Sequence, residues 1–234
     1  MPYYIKNRLI ILGDSQQVKT IVERYTTHHP AKAYIAYNGS IACRNKKGLC
    51  GLLNPTNGEF TTNDGSKVIG IPEDYEIDVK PAYDHFPDFE KIIPQPENFY
   101  KEGFTTAKQK ELAAQGIPDW FTWNITNWGA CRNSLDCKRG EKENEFVFET
   151  VWSGVPKLMS ELSAQNKGIE FAYEFADEDP GFHCAAYKFL DGEITYIDEP
   201  EYGSKEAHEI AFRLRPEYKN DYRLIDNNYV YIAE

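Results

Sequence analysis

The sequence predicts an α+β protein: an antiparallel or mixed sheet with helices packed on one face. Three observations carry that expectation. Residues 117–152 contain all four tryptophans, Trp120, Trp123, Trp128 and Trp152. They run from an amphipathic, ring-bearing segment into an alternating stretch that places Phe146, Phe148 and, after Thr150, Trp152 on one side of a strand. The chain opens as a strand followed by an amphipathic helix. From Phe146 onward the order strand, helix, strand, hairpin suits an α/β sandwich.

The elements follow in order. Tyr3 to Leu12 reads as a strand stopped by Gly13-Asp14-Ser15, with Asp14 or Ser15 able to cap the next helix. That helix carries Val18, Ile21, Val22 and Tyr25 at helical spacing and ends at His28-His29-Pro30. Between Ala31 and Pro81 the pattern weakens into short apolar pieces separated by Asn38-Gly39, Asn57-Gly58 and Asp64-Gly65, which are hairpin or loop signals. Phe89 to Ile93 is expected to be a short strand closed by Pro94 and Pro96. Thr105 to Gln115 reads as a polar surface helix. After Gly116-Ile117-Pro118, the spacing of Trp120, Trp123, Asn127 and Trp128 predicts a helix that lays its rings on the sheet. Leu158, Met159 and Leu162 give the buried face of another helix. Strands follow at Ile169–Phe175, Cys184–Leu190 and Ile194–Ile197, the last two joined by Asp191-Gly192. A helix at Lys205–Arg213 precedes a final run, Tyr222 to Ile232, expected to add to or cover a sheet edge.

Composition bounds the function. The chain has 234 residues, 41% hydrophobic and 14% aromatic, enough for a core and too apolar for global disorder. Its 26 Lys and Arg against 37 Asp and Glu give a net charge of -11. That balance argues against general duplex DNA binding, which draws its affinity from phosphate neutralisation. It is compatible with an acidic surface that competes for a basic patch on another protein. No apolar run is long enough for a membrane span, and charge interrupts the opening apolar stretch, so a cytoplasmic protein without membrane contact is expected. Five unevenly spaced cysteines read as free thiols.

Four stretches resemble the Api92-like family of phage and mobile-element proteins, related to the plasmid YubB proteins. The opening Lys6-Asn7-Arg8-Leu9-Ile10-Ile11 resembles that family's beginning, and Phe89-Glu90-Lys91-Ile92-Ile93-Pro94-Gln95-Pro96 its "F-x-K-I-I-P-x-P" element. Asn127-Trp128-Gly129-Ala130 resembles the start of "N-W-G-T-K-W", and Thr150-Val151-Trp152-Ser153 with Pro156 the later "T-x-W-x-x-P". The likeness spans Asn7 to about Gly192. Ala130, Cys131 and Arg132 stand where the family usually has Thr, Lys and Trp, so a role that depends on that Lys or Trp is not carried over. The resemblance implies a ferredoxin-like core and a phage or mobile-element setting. The expected organisation is a ferredoxin-like core over residues 1–200, with an irregular insertion at about 31–81 and a C-terminal extension, 201–234, packed on it.

Candidate sites are few. Asn127, Trp128, Arg132 and Asn133 combine an aromatic face for stacking, a cation for carboxylate or phosphate and amides for orientation. Lys138, Arg139 and Lys142, joined by Arg132, are a candidate patch for single-stranded nucleic acid. Cys131 with a remote His183 is a candidate thiolate pair for a small-molecule or nucleotide-processing enzyme. Cys43 with Cys50 and Cys131 with Cys137 would make a zinc site only if both pairs met in space. Their spacings are wider than such sites use, and no metal or cofactor is expected. The leading functional expectation is a non-catalytic accessory protein that binds a host or element-encoded protein, with interference with host defence as one such role.

Overall fold

A computed structural model describes residues 3–36, 38–98, 100 and 105–232. The chain forms two compact units, residues 28–84 and the remainder. In the larger unit a six-stranded sheet is built from β1 (Tyr4–Leu12), β2 (Leu135–Arg139), β3 (Glu145–Val151), β4 (Glu170–Ala176), β5 (Cys184–Leu190) and β6 (Glu193–Asp198). The spatial order is β2-β3-β1-β4-β5-β6, antiparallel throughout. Because β3 and β4 both run against β1, they are parallel to each other. The helix that links them, α5 (Pro156–Ala164), makes the split β-α-β crossover of a ferredoxin-like core.

Alternation decides the layers. Asn7, Leu9 and Ile11 of β1 register with Phe148 and Phe146 of β3 and with Phe175, Tyr173 and Phe171 of β4. All these side chains enter one core. Over that face lie Val18, Ile21 and Tyr25 of α1 (Ser15–Tyr25) and Leu158, Met159 and Leu162 of α5. The start of α1 is fixed as the sequence predicts, by a reciprocal box: Asp14 accepts from the Gln17 amide at 2.8 Å and Gln17 accepts from the Asp14 amide at 2.9 Å. On the opposite face α6 (Lys205–Leu214) packs Ala207, Ile210, Ala211 and Leu214 on Ala176, Cys184 and Ala186. The small residues let the helix approach closely. The rest of that face is laced with ion pairs, Arg8 with Glu174 at 2.5 Å, Arg213 with Glu174 at 3.0 Å and Lys188 with Glu170 at 3.3 Å.

Three local expectations are corrected. Phe89–Ile92 is a helical turn, α2, not a strand. Asp88 accepts from the Glu90 amide and Asn133 Oδ1 from the Phe89 amide at 2.9 Å, which satisfies the helix-end donors that a strand would have left to a neighbour. Trp152 leaves the β3 alternation: the strand ends at Val151, and Trp152 sits at φ 73 with 48% of its surface exposed. His208 is buried among Phe212, Tyr222 and Tyr229, with Nδ1 2.9 Å from the Ser204 carbonyl. Among the described residues the final run does not join the six-stranded sheet. It pairs with itself as a hairpin, Tyr222–Ile225 with Asn228–Tyr231, because Asp226 and Asn227 both take positive φ and make the turn that matches strand twist.

Residues 28–84 have their own sheet where the sequence shows short apolar pieces between turn signals. Five strands run in the spatial order Lys67–Ile69, Glu59–Thr61, Cys50–Leu53, Ile41–Asn45, Tyr75–Ile77. Their core is small: Cys43, Phe60 and Tyr75, the two rings edge-on at 5.0 Å. A core of three residues buries few strand positions, so the period-two signal that marks a half-buried strand never develops.

Candidate functional site

The segments that resemble family elements converge in the larger unit. The helix α3 (Thr106–Ala114) is followed by α4 (Trp120–Trp128), which starts where Asp119 accepts from the Thr122 amide at 2.9 Å. It ends at Gly129, at φ 85, where a left-handed residue closes the helix and a side chain would meet Gly154 and Val155. Trp128 is fully buried, and its indole donates to the Ile93 carbonyl at 2.9 Å. Phe89 lies edge-on to Trp128 at 5.8 Å and to Phe148 at 6.1 Å. Asn124 donates to the Cys131 carbonyl at 2.9 Å and accepts from Gln95 at 2.7 Å.

Beneath this junction runs a buried polar network. Asn7 Nδ2 donates to Thr150 Oγ1 at 3.0 Å, and Tyr173 donates to Asn7 Oδ1 at 2.6 Å. The Tyr173 oxygen accepts from the Val155 amide at 2.7 Å, and Thr150 donates to the Ser153 carbonyl at 2.6 Å. Burial pushes the Tyr173 hydroxyl far above its ordinary value, so it stays protonated and donates. Val155, the helix cap without a capping side chain, is thus held by a tyrosine from the sheet. The turn from Thr150 to Val155 is fixed at both ends, and Trp152 projects from it. The Trp152 amide donates to the Tyr3 carbonyl at 2.9 Å, and its ring meets Phe121 of α4 edge-on at 5.8 Å.

The expected binding residues separate into distinct roles. Trp128 belongs to the core, and Asn133 is a clamp: it accepts from the Phe89 and Ser134 amides and donates to Asp88 at 2.8 Å. Asn127 is half-buried, donates to the Trp123 carbonyl and lines an open groove of about 670 Å³ between α3 and α4. Gln109, Ala113, Ile117, Trp123 and Thr126 also line it. Arg132 is exposed and, among the described residues, has no hydrogen bond or ion pair.

The remaining candidates do not assemble. Lys138 registers with Val147 on the ion-paired face and pairs with Asp136 at 2.7 Å. Arg139 registers with Phe146 on the other face, where its guanidinium stands 5.4 Å from that ring. Lys142 is exposed in the turn before β3. Cys131 is buried, and burial raises its thiol above the ordinary value, the reverse of what a nucleophile needs. His183 lies 3.7 Å from Asp177, and neither Cys131 nor His183 lines the α3–α4 groove. Among the described residues no three His, Cys, Asp or Glu side chains converge as a metal group.

A hydroxyl-imidazole contact that sequence reasoning missed lies at His85 Nε2 and Ser134 Oγ, 2.8 Å apart. Ser134 donates to the Pro87 carbonyl at 2.6 Å, and Cys137 Sγ is 3.2 Å away with its thiol raised by burial. With its proton committed to a backbone carbonyl, Ser134 ties β2 to the residues before α2. Its partner is 49 positions away, so no local spacing could have announced it.

No helix among the described residues is long and apolar enough to cross a membrane. No curated protein matches the chain, and no solved structure matches it. Residues 132–214 match the family model described as the ferredoxin-like domain in Api92-like protein. The match runs from just before β2 to the end of α6, so it takes in the Trp152 turn and Pro156 but neither the α2 element nor the end of α4. Residues 132–214 are thus similar to the ferredoxin-like domain of Api92-like proteins, and the β3-α5-β4 crossover lies within the matched stretch.

Proposed function

We propose that this chain is a non-catalytic accessory protein that binds a host or element-encoded protein through the surface around Trp152. One observation carries the reading: a large aromatic residue is held half in solvent, in a backbone conformation that costs a non-glycine residue about 1 kcal/mol. The buried Asn7–Tyr173–Thr150 network holds the turn that maintains it. A tryptophan with restricted freedom, backed by Phe121, is the kind of anchor that dominates protein interfaces. Arg132 is exposed and, among the described residues, without an ion pair. It lies just before β2, whose Leu135 registers with Glu149 of the strand that leads to Trp152, and offers a charged contact on that side. The family's phage and mobile-element setting fits a host-directed partner, with interference with defence as one outcome of that binding. Net acidity would act mainly on encounter rate and partner choice.

The test uses tagged full-length chain as bait in an extract of the natural host, with captured proteins identified by mass spectrometry. Trp152→Gly removes the anchor and relieves the positive-φ cost, so it should melt at or above the parent temperature while affinity for the captured protein falls at least tenfold. Unchanged affinity in Trp152→Gly would refute the site. Affinity that is the same at low and high salt would refute the electrostatic part.

A further inference from the structure

The sheet is open at β6. This strand is the last in the spatial order and pairs only with β5 among the described residues. Its sequence, Glu193-Ile194-Thr195-Tyr196-Ile197-Asp198, has strong strand formers and no Lys or Pro of the kind that usually blunts an edge. Ile194 registers with Phe189 and Ile197 with Tyr187; a bulge at Thr195, where the register shifts between Lys188 and Phe189, puts both on the side of the sheet that α5 covers. Each is nevertheless 52% exposed, so the apolar layer continues past the helix that should close it. Tyr196, registered with Lys188 on the other side, is 49% exposed. A row of backbone donors and acceptors thus lies beside apolar surface on both faces.

Charge selects the occupant. Residues 191–203 contain Asp191, Glu193, Asp198, Glu199 and Glu201 and no Lys or Arg. A second copy pairing antiparallel about the strand centre would set Glu193 opposite the other copy's Asp198 at both ends, a like-charge arrangement that destabilises the pair. An extended segment with Lys or Arg flanking alternate apolar residues meets no such penalty. We infer that β6 is a docking edge for an extended basic segment of another protein, which adds as a seventh strand. Main-chain hydrogen bonds would supply affinity, Ile194 and Ile197 would take its inward side chains, and the acidic flanks would fix its sign. This edge is independent of the Trp152 surface.

The experiment uses a synthetic capped peptide of alternating Lys and Val or Ile, its Glu counterpart, and a Lys peptide N-methylated at alternate amides. Anisotropy titrations at low ionic strength should show the Lys peptide binding at least tenfold tighter than either control. Amide exchange at Ile194–Ile197 should slow in its presence. The double substitution Glu193→Lys with Asp198→Lys, at one exposed and one half-buried position, should weaken it at least tenfold, and Trp152→Gly should bind it as the parent does. Equal binding of the N-methylated peptide would reduce the effect to surface charge and overturn the inference. So would unchanged exchange in β6, or sedimentation that shows a dimer with β6 protected in the free protein.

Discussion

Tyr173 does more for this fold than its place in a strand suggests. Among the described residues its hydroxyl is the only partner of the Val155 amide, and it also serves Asn7 Oδ1, both away from water. Tyr173→Phe keeps the ring and removes both bonds. It should cost about 2 kcal/mol or more, since each buried group left unsatisfied carries about 1–3 kcal/mol; urea unfolding measures it. The cysteines give a second residue-scale prediction. Cys50 is exposed, while Cys43, Cys131, Cys137 and Cys184 all have thiols raised above the ordinary value, first by burial. Thiol titration of the folded protein near pH 8 should show one fast equivalent, at Cys50, and the other four only on unfolding. Cys184 is pushed up to about 11. A raised value means that the folded state holds the proton longer. Its contribution is therefore complete below the ordinary thiol value and is lost as pH climbs toward about 11. Unfolding midpoints of the parent should fall over that alkaline window more steeply than those of Cys184→Ala.

At the scale of elements, the junction between α4, the Trp152 turn and the sheet depends on how closely backbones approach. Gly154 sits against the Phe175 ring, and an added Cβ would lie 2.4 Å from Phe175 Cδ1. Phe175 is enclosed by Tyr173 and Tyr187 and has little room to turn. Gly154→Ala should therefore cost about 1–3 kcal/mol, the usual range for overpacking. It should also shift the near-ultraviolet signal of the tryptophans, because the turn that carries Trp152 must move. A melt indistinguishable from the parent would show that the turn is looser than these contacts require. The helices here were legible from apolar spacing because α1 and α5 each bury one side and α4 sets its rings at helical intervals. The turn of helix at Phe89 was not, because four residues present no period. What selected helix there was Asn133, 44 positions along the chain from Phe89.

For the whole molecule, the two units hold separate apolar clusters. At the crossing of the chain, Thr27–His29 pairs with Tyr83–His85, and His28 lies 2.8 Å from Asp84. The two ends of the inserted segment are therefore close enough for a short bridge. Replacing residues 29–83 with a short Gly-Ser linker should leave a cooperatively unfolding sheet, because none of the described side chains of that segment belongs to the main core. Circular dichroism during thermal unfolding checks this, and a broad, non-cooperative transition would show that the inserted unit is needed for the rest to fold.

The sequence by itself determined the strand-helix opening, the ring-bearing helix before Phe146, the crossover helix with Leu158, Met159 and Leu162, and the hairpin at Asp191-Gly192. In each, neighbours within a few residues share one face or one turn, so the physics is local and leaves a period. Only the tertiary structure decided that Trp128 is core, that Asn133 is a clamp, that Trp152 stands outside the sheet and that β6 is left open. These outcomes turn on hydrogen bonds and burial supplied by residues tens to more than a hundred positions away. A chain read in order does not reveal which distant group will satisfy a buried polar atom, or which edge will be left without a neighbour.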